Sequence, residues 1–269
     1  MDRLKRIIKY SIVILGTIII NQGFCADRQV PVSLELTSIE KFRDLPETSV
    51  YNDIMNHSKD KPFGDHHGRN TNAHETVHGI NSYLRNKYYK ELSKNINGFY
   101  AGNGYGILLE NPNLRLRQVA PYVPKSVRGY RFPLYFEKQL ADWDDTPTYH
   151  IDEWAAYIAG AECSVDDYNN KIIYSEKSDS VSGSLEFSIY CTALAMAVKN
   201  MDKNYWENNT QFRSAIQYFL IKAEKVFFEG KDIFPSQKQE ILLNNLRNSD
   251  DCLEFRQFLK EEFQGVFID

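Results

Sequence analysis

A chain of 269 residues with 32 basic and 36 acidic side chains carries a formal charge of −4. That acidic balance makes the chain a poor candidate for nonspecific nucleic-acid binding. The length suits one domain with a sizeable core.

At the N-terminus, Arg3, Lys5, Arg6 and Lys9 precede an apolar run at residues 12–20. The run is short for a spanning helix and basic on one side only, which reads as an export signal. Residues 1–25 are expected to be removed by cleavage after Cys25, with Gly23 at the minus-three position; an uncleaved membrane anchor is the alternative. Cleavage leaves 28 basic against 35 acidic residues, about −7. The expected mature protein is secreted or periplasmic, with no nucleic-acid partner and no stable membrane insertion. Cys163, Cys191 and Cys252 then remain, an odd number that permits at most one internal disulfide. Cys163–Cys191 is the expected pair, set against three buried thiols.

Residues 30–36 alternate apolar and polar side chains and predict a strand, with Pro31 placing it at a sheet edge. Short helices are expected at residues 39–42 and 49–57. The loop Gly64-Asp65-His66-His67-Gly68 follows. A glycine-flanked histidine pair is most simply solvent-exposed, with one imidazole a candidate to line a cleft.

The stretch Thr71-Asn72-Ala73-His74-Glu75-Thr76-Val77-His78-Gly79-Ile80 lies in an expected helix running from Arg69 to Leu92. One helical turn separates His74 from His78, so both imidazoles converge from one face while Glu75 stands beside them. The spacing is His-Glu-x-x-His. A purely structural reading also exists, in which Asn72 caps the helix and Glu75 sits at its third position. These ten residues resemble the zincin metallopeptidases. The resemblance implies that His74 and His78 ligate Zn²⁺ and that Glu75 is the general base toward a metal-activated water. The longer metzincin signature is absent, with Asn81 and Leu84 in place of its glycine and third histidine. A third ligand must come from elsewhere.

Tyr105–Glu110 and residues 114–120 flank Asn111-Pro112-Asn113 and predict a hairpin; its edge is a candidate to pair with extended substrate. Pro121, Pro124 and Pro133 mark a loop-rich passage in which Gly129-Tyr130-Arg131 is expected near the site. A helix at residues 134–143 is interrupted by Asp144-Asp145-Thr146-Pro147.

Residues 149–160 predict a second helix whose surface is unusually small. Ala155, Ala156, Ala159 and Gly160 let two backbones approach closely, as a third ligand on this helix requires. Glu153 is the carboxylate best placed for it, and Glu137, Asp152 and Glu162 are rivals. Glu153-Trp154-Ala155-Ala156 also resembles the Glu-x-x-small pattern of the gluzincins. Tyr149, His150 and Tyr157 lie close by, and Tyr149 or His150 is the expected donor to charge developing on the attacked carbonyl oxygen.

The remainder predicts helices at residues 184–200, 210–229, 237–248 and 250–263 after a polar loop at 175–183, with Phe219, Leu220, Ala223, Val226 and Phe227 inward. No phosphate loop, dinucleotide fingerprint or Ser/Cys nucleophile context is present. The expectation is therefore a predominantly helical α+β protein. Residues 26–162 form a zincin-like catalytic region with a small hairpin or sheet, and 163–269 a helical bundle of the same domain. Its expected activity is zinc-dependent hydrolysis of a peptide or protein substrate. A secreted zinc-binding or interaction protein without protease activity is the alternative.

Overall fold

The computed structural model describes residues 28–59, 68–92, 95–173 and 178–269. The expected leader at 1–25, together with His66 and His67, lies outside the described residues. The fold is mostly helical with a small three-stranded antiparallel sheet.

Strand β2 (Ile96–Gly102) and strand β3 (Tyr105–Glu110) form a hairpin with Phe99 opposite Ile107 and Asn97 opposite Leu109. Asn103 and Gly104 turn the chain at φ of 52° and 72°, a left-handed conformation that Asn and Gly tolerate best. Strand β1 (Thr37–Ser38) pairs with the other side of β3, giving the order β1-β3-β2.

This sheet differs from the expected one at two places. The strand predicted at 30–36 contracts to Thr37–Ser38. Leu34 turns back onto the Pro31 carbonyl at 3.2 Å, and the Glu35 backbone takes both its hydrogen bonds from the Gln211 side chain. The hairpin predicted around 111–113 is replaced by the β2–β3 hairpin, because residues 116–118 and 120–122 coil into 3₁₀ turns. Leu114 and Leu116 are buried between the exposed Arg115 and Arg117, so the alternation is real. The Leu116 and Arg117 backbone amides, however, donate to Asp144 rather than to a neighbouring strand.

Helix α1 (Val50–His57) starts where Ser49 Oγ accepts from the Asn52 amide, as a serine N-cap does. No helix forms at 39–42, where the Ile39 amide donates to Gly104 and those of Phe42 and Arg43 to Asn56. Helix α2 (Arg69–Leu92) contains the histidine pair. It begins three residues before Asn72, whose amide already donates to Gly68, so Asn72 is not the cap. The helix expected at 134–143 splits into a π turn, Leu134–Lys138, and a short helix α3 (Leu140–Trp143). Helix α4 (Tyr149–Asn169) extends well past Gly160.

Helices α5 (Ser180–Met201), α6 (Lys203–Asn208), α7 (Thr210–Gly230), α8 (Gln237–Asn248) and α9 (Leu253–Phe263) complete the chain. Helix α5 begins within the expected polar loop, and α6 is an addition capped by Asp202. Residues 250–252 form a 3₁₀ turn ahead of α9. Phe219, Leu220, Ala223, Val226 and Phe227 are buried as expected. Helix α5 is long and apolar enough to cross a membrane by composition, but 94% of its apolar window is buried inside the protein. The expected Cys163–Cys191 disulfide is absent: both thiols are free and buried, as is Cys252.

The packing brings α2 and α4 together. A Cβ on Gly98 would sit 2.3 Å from the Leu84 Cβ, so α2 lies directly on β2. A Cβ on Gly160 would stand 3.2 Å from the Asn70 carbonyl, which places the small face of α4 against the start of α2. The close approach expected from Ala155, Ala156, Ala159 and Gly160 is present, and all four are buried.

Candidate metal centre

Helix α2 supplies His74 and His78 one turn apart, and α4 supplies Glu153 just past its first turn. Their Nε2 atoms stand 3.2 Å apart, with Glu153 Oε2 at 3.8 Å from His74 and 3.7 Å from His78. All three donor atoms lie within 4.8 Å of one another. Glu153 is nearly covered, whereas the His78 side chain is 26% exposed, so the cluster opens to solvent on the His78 side.

The supporting groups explain why the rings face inward. His78 Nδ1 donates to Asp152 Oδ1 at 2.6 Å, which leaves Nε2 directed at the cluster. Asp152 Oδ1 also accepts from Asn81 Nδ2 at 2.9 Å, and Asn81 Oδ1 accepts from the Tyr100 amide at 2.7 Å. One buried asparagine thus ties α2, α4 and β2 together. The His74 ring packs edge-on against Tyr157, centroids 4.5 Å apart, and the Ala156 backbone favours its protonated form. Tyr157 is itself fixed by Arg131 Nε, which donates to its hydroxyl at 3.1 Å.

The electrostatics separate the two imidazoles. Burial, reinforced by the neighbouring His78 and Arg131 charges, pushes His74 down to about 3 and keeps it neutral. Burial opposes charge on His78 as well, but the Asp152 hydrogen bond and charge, with Glu153 and Glu75, outweigh it and raise its pKa to about 9. Burial raises Glu153, against the pull of His78 and of two tyrosine hydroxyls.

Glu75 is half-buried beside His74, and its charge acts on His78. Tyr149 donates to Glu153 Oε1 at 2.6 Å, so its hydroxyl is committed to that carboxylate. His150 is not brought to the cluster. It is wholly buried, with ring centroids of Phe136 at 4.4 Å and Tyr190 at 5.8 Å, and burial pushes its pKa down to about 3. Of the rival carboxylates, Glu137 is exposed, Glu162 pairs with Lys222 at 3.1 Å, and Asp152 serves the back of His78.

Two contributors were not evident from sequence. Tyr135, in the π turn, donates to Glu153 Oε2 at 3.0 Å, and Asn81 drew attention only as a departure from a longer motif. Asn81 follows His78 by three positions, which is the one available sign that both share a helix face.

Two imidazole nitrogens and a carboxylate oxygen form a donor set suited to a divalent transition metal. Comparison with known proteins finds no matching family, no matching curated protein and no matching solved structure.

Proposed function

We propose that this chain is an exported zinc-dependent metallopeptidase, with His74, His78 and Glu153 holding the cation and Glu75 acting as general base. The observation that carries the reading is the convergence of the three donor atoms within 4.8 Å. Their arrangement fits a cation because Asp152 holds His78 Nδ1 and turns Nε2 toward His74 Nε2 at 3.2 Å, where without a metal a proton on His78 bridges the two nitrogens and a cation would take that proton's place. With three protein donors, a fourth position stays open, the signature of catalytic rather than structural zinc. The chemistry supplied by such an ion when bound is Lewis acidity.

The chain's own residues account for the rest of the reaction. Glu75 takes the proton of the attacking water and passes it to the departing amine, a role suited to a half-buried carboxylate next to His74 in sequence whose charge acts on His78. Asp152 and Asn81 keep His78 in register, and the Tyr157 ring packs against His74. With Tyr149 committed to Glu153, Tyr157 is the tyrosine whose ring packs against His74, its hydroxyl held by Arg131.

The deciding experiment is metal analysis of the mature protein together with Glu75→Gln. The expected result is about one zinc per chain, lost in His74→Ala and His78→Ala, and retained in Glu75→Gln while peptide hydrolysis falls by about 10²–10⁴-fold. Well-folded parent protein that takes up no zinc on reconstitution ends the reading. A zinc-loaded parent inactive on a broad peptide library transfers it to a non-catalytic zinc-binding protein.

A further inference from the structure

Glu153 has two oxygens, and they have different neighbours. Oε2 faces the imidazoles at 3.8 and 3.7 Å and accepts from Tyr135 at 3.0 Å. Oε1 accepts a 2.6 Å hydrogen bond from Tyr149. The Tyr149 ring is in turn held flat against Trp143, with centroids 4.3 Å apart and planes 5° from parallel. The Gln139 amide oxygen lies 3.4 Å from the same hydroxyl, at the end of the π turn closed by the Gln139 amide on the Leu134 carbonyl. Such turns are rare and concentrate at functional sites. This one carries Tyr135 at its start and leads into Gln139, so both ends of the turn bear on one carboxylate.

We infer that Tyr149 and Tyr135 are positioning residues that divide the labour of the Glu153 carboxylate, Tyr149 engaging Oε1 so that Oε2 alone serves as the ligand atom. The inference rests on the metal-centre reading above. A carboxylate with both oxygens free can chelate a cation through both, and doing so fills a coordination position. Here Oε1 is occupied by a short hydrogen bond from a hydroxyl whose ring is stacked in place. Single-oxygen ligation preserves the open position that hydrolysis needs. Tyr135 keeps Oε2 oriented toward the histidines, the task performed for His78 by Asp152.

The test uses cobalt(II) as a spectroscopic probe in the full mature protein, with variants Tyr149→Phe, Tyr135→Phe and Tyr218→Phe. Phenylalanine keeps the ring against Trp143 and removes only the hydroxyl. The expected result for Tyr149→Phe is one cobalt per chain with weakened visible absorption, because the released Oε1 enters the coordination shell. For Tyr135→Phe, metal affinity falls about 10–100-fold. Tyr218→Phe, whose hydroxyl donates to the Ala101 carbonyl, changes neither reading. X-ray absorption of the cobalt-loaded parent provides a measurement that depends on no variant and is expected to show one carboxylate oxygen. Two-oxygen chelation in the parent, or a parental spectrum in folded Tyr149→Phe, overturns the inference and leaves the metal centre standing. A folded parent that takes up neither cobalt nor zinc overturns both.

Discussion

Asp152 and Glu153 are adjacent acids on one helix, and the phase of α4 gives them opposite duties. Glu153 reaches the front of the cluster, while Asp152 reaches His78 from behind at 2.6 Å. In the proposed metal centre, removing Asp152 leaves the three donor residues in place but frees the His78 ring to rotate. Asp152→Ala is therefore expected to lower zinc affinity about 10–100-fold with the metal still bound at saturation, as read by competition with a chelator. Asp152→Asn, which can still accept from Nδ1, is expected to lose less. The His74, His78 and Glu153 cluster was legible as residues, because two donors at helical spacing and one carboxylate on a small-faced helix leave a pattern in sequence. The division between Asp152 and Glu153 was not legible. It depends on a rotation of α4 that only contacts with α2 and β2 determine.

At the scale of elements, the close approach of helices around the cluster is built on glycine. A Cβ at Gly183 on α5 would fall 2.1 Å from the Tyr157 ring, the ring that packs against His74. Gly183→Ala is expected to displace that ring and to cost about 1–3 kcal/mol in urea denaturation. The sheet shows why sequence patterns failed here. Strand β2 is buried on both faces over residues 96–101, so it lacks the alternation that betrays a strand. Residues 114–117 alternate but take their backbone partners from Asp144. Arg117 and Arg115 hydrogen-bond that carboxylate and hold its pKa down at about 2. A carboxylate depressed in the folded state stabilises above its ordinary pKa near 3.8, and the contribution disappears as pH falls toward 2. Both arginines are largely exposed, at 63% and 61%, so solvent screening keeps the effect small. In Asp144→Asn this component of acid destabilisation between pH 4 and 2 is expected to vanish from the denaturation profile.

Across the whole molecule, one buried ion pair connects the loop before the π turn to the central helix α5. Arg131 and Glu186 meet at 2.9 Å with side chains 3% and 2% exposed, and Arg131 also reaches the exposed Asp179 at 2.8 Å. Glu186→Ala strands a buried guanidinium and is expected to cost about 3–5 kcal/mol. Asp179→Ala, at the solvent end, is expected to cost under about 1 kcal/mol. Chemical denaturation of the two variants distinguishes these outcomes. The predominance of helix was legible from apolar spacing. The closure of the chain was not: Arg28 pairs with Glu224 at 2.9 Å and donates to Gly265, linking residues separated by most of the sequence.

The free, buried thiols have a practical consequence. Cys163 lies in α4, Cys191 in α5 and Cys252 just before α9. Burial raises all three pKa values, which suppresses the reactive thiolate in the closed molecule. Each therefore becomes a silent chemical clock that starts only when its surroundings open. Cys252 sits at a seam, its Sγ 3.4 Å from Ser126 Oγ, whereas Cys191 is enclosed within the central helix. Timed alkylation followed by peptide mass spectrometry is expected to mark Cys252 first and Cys191 last, ranking the parts of this fold by how readily each one breathes.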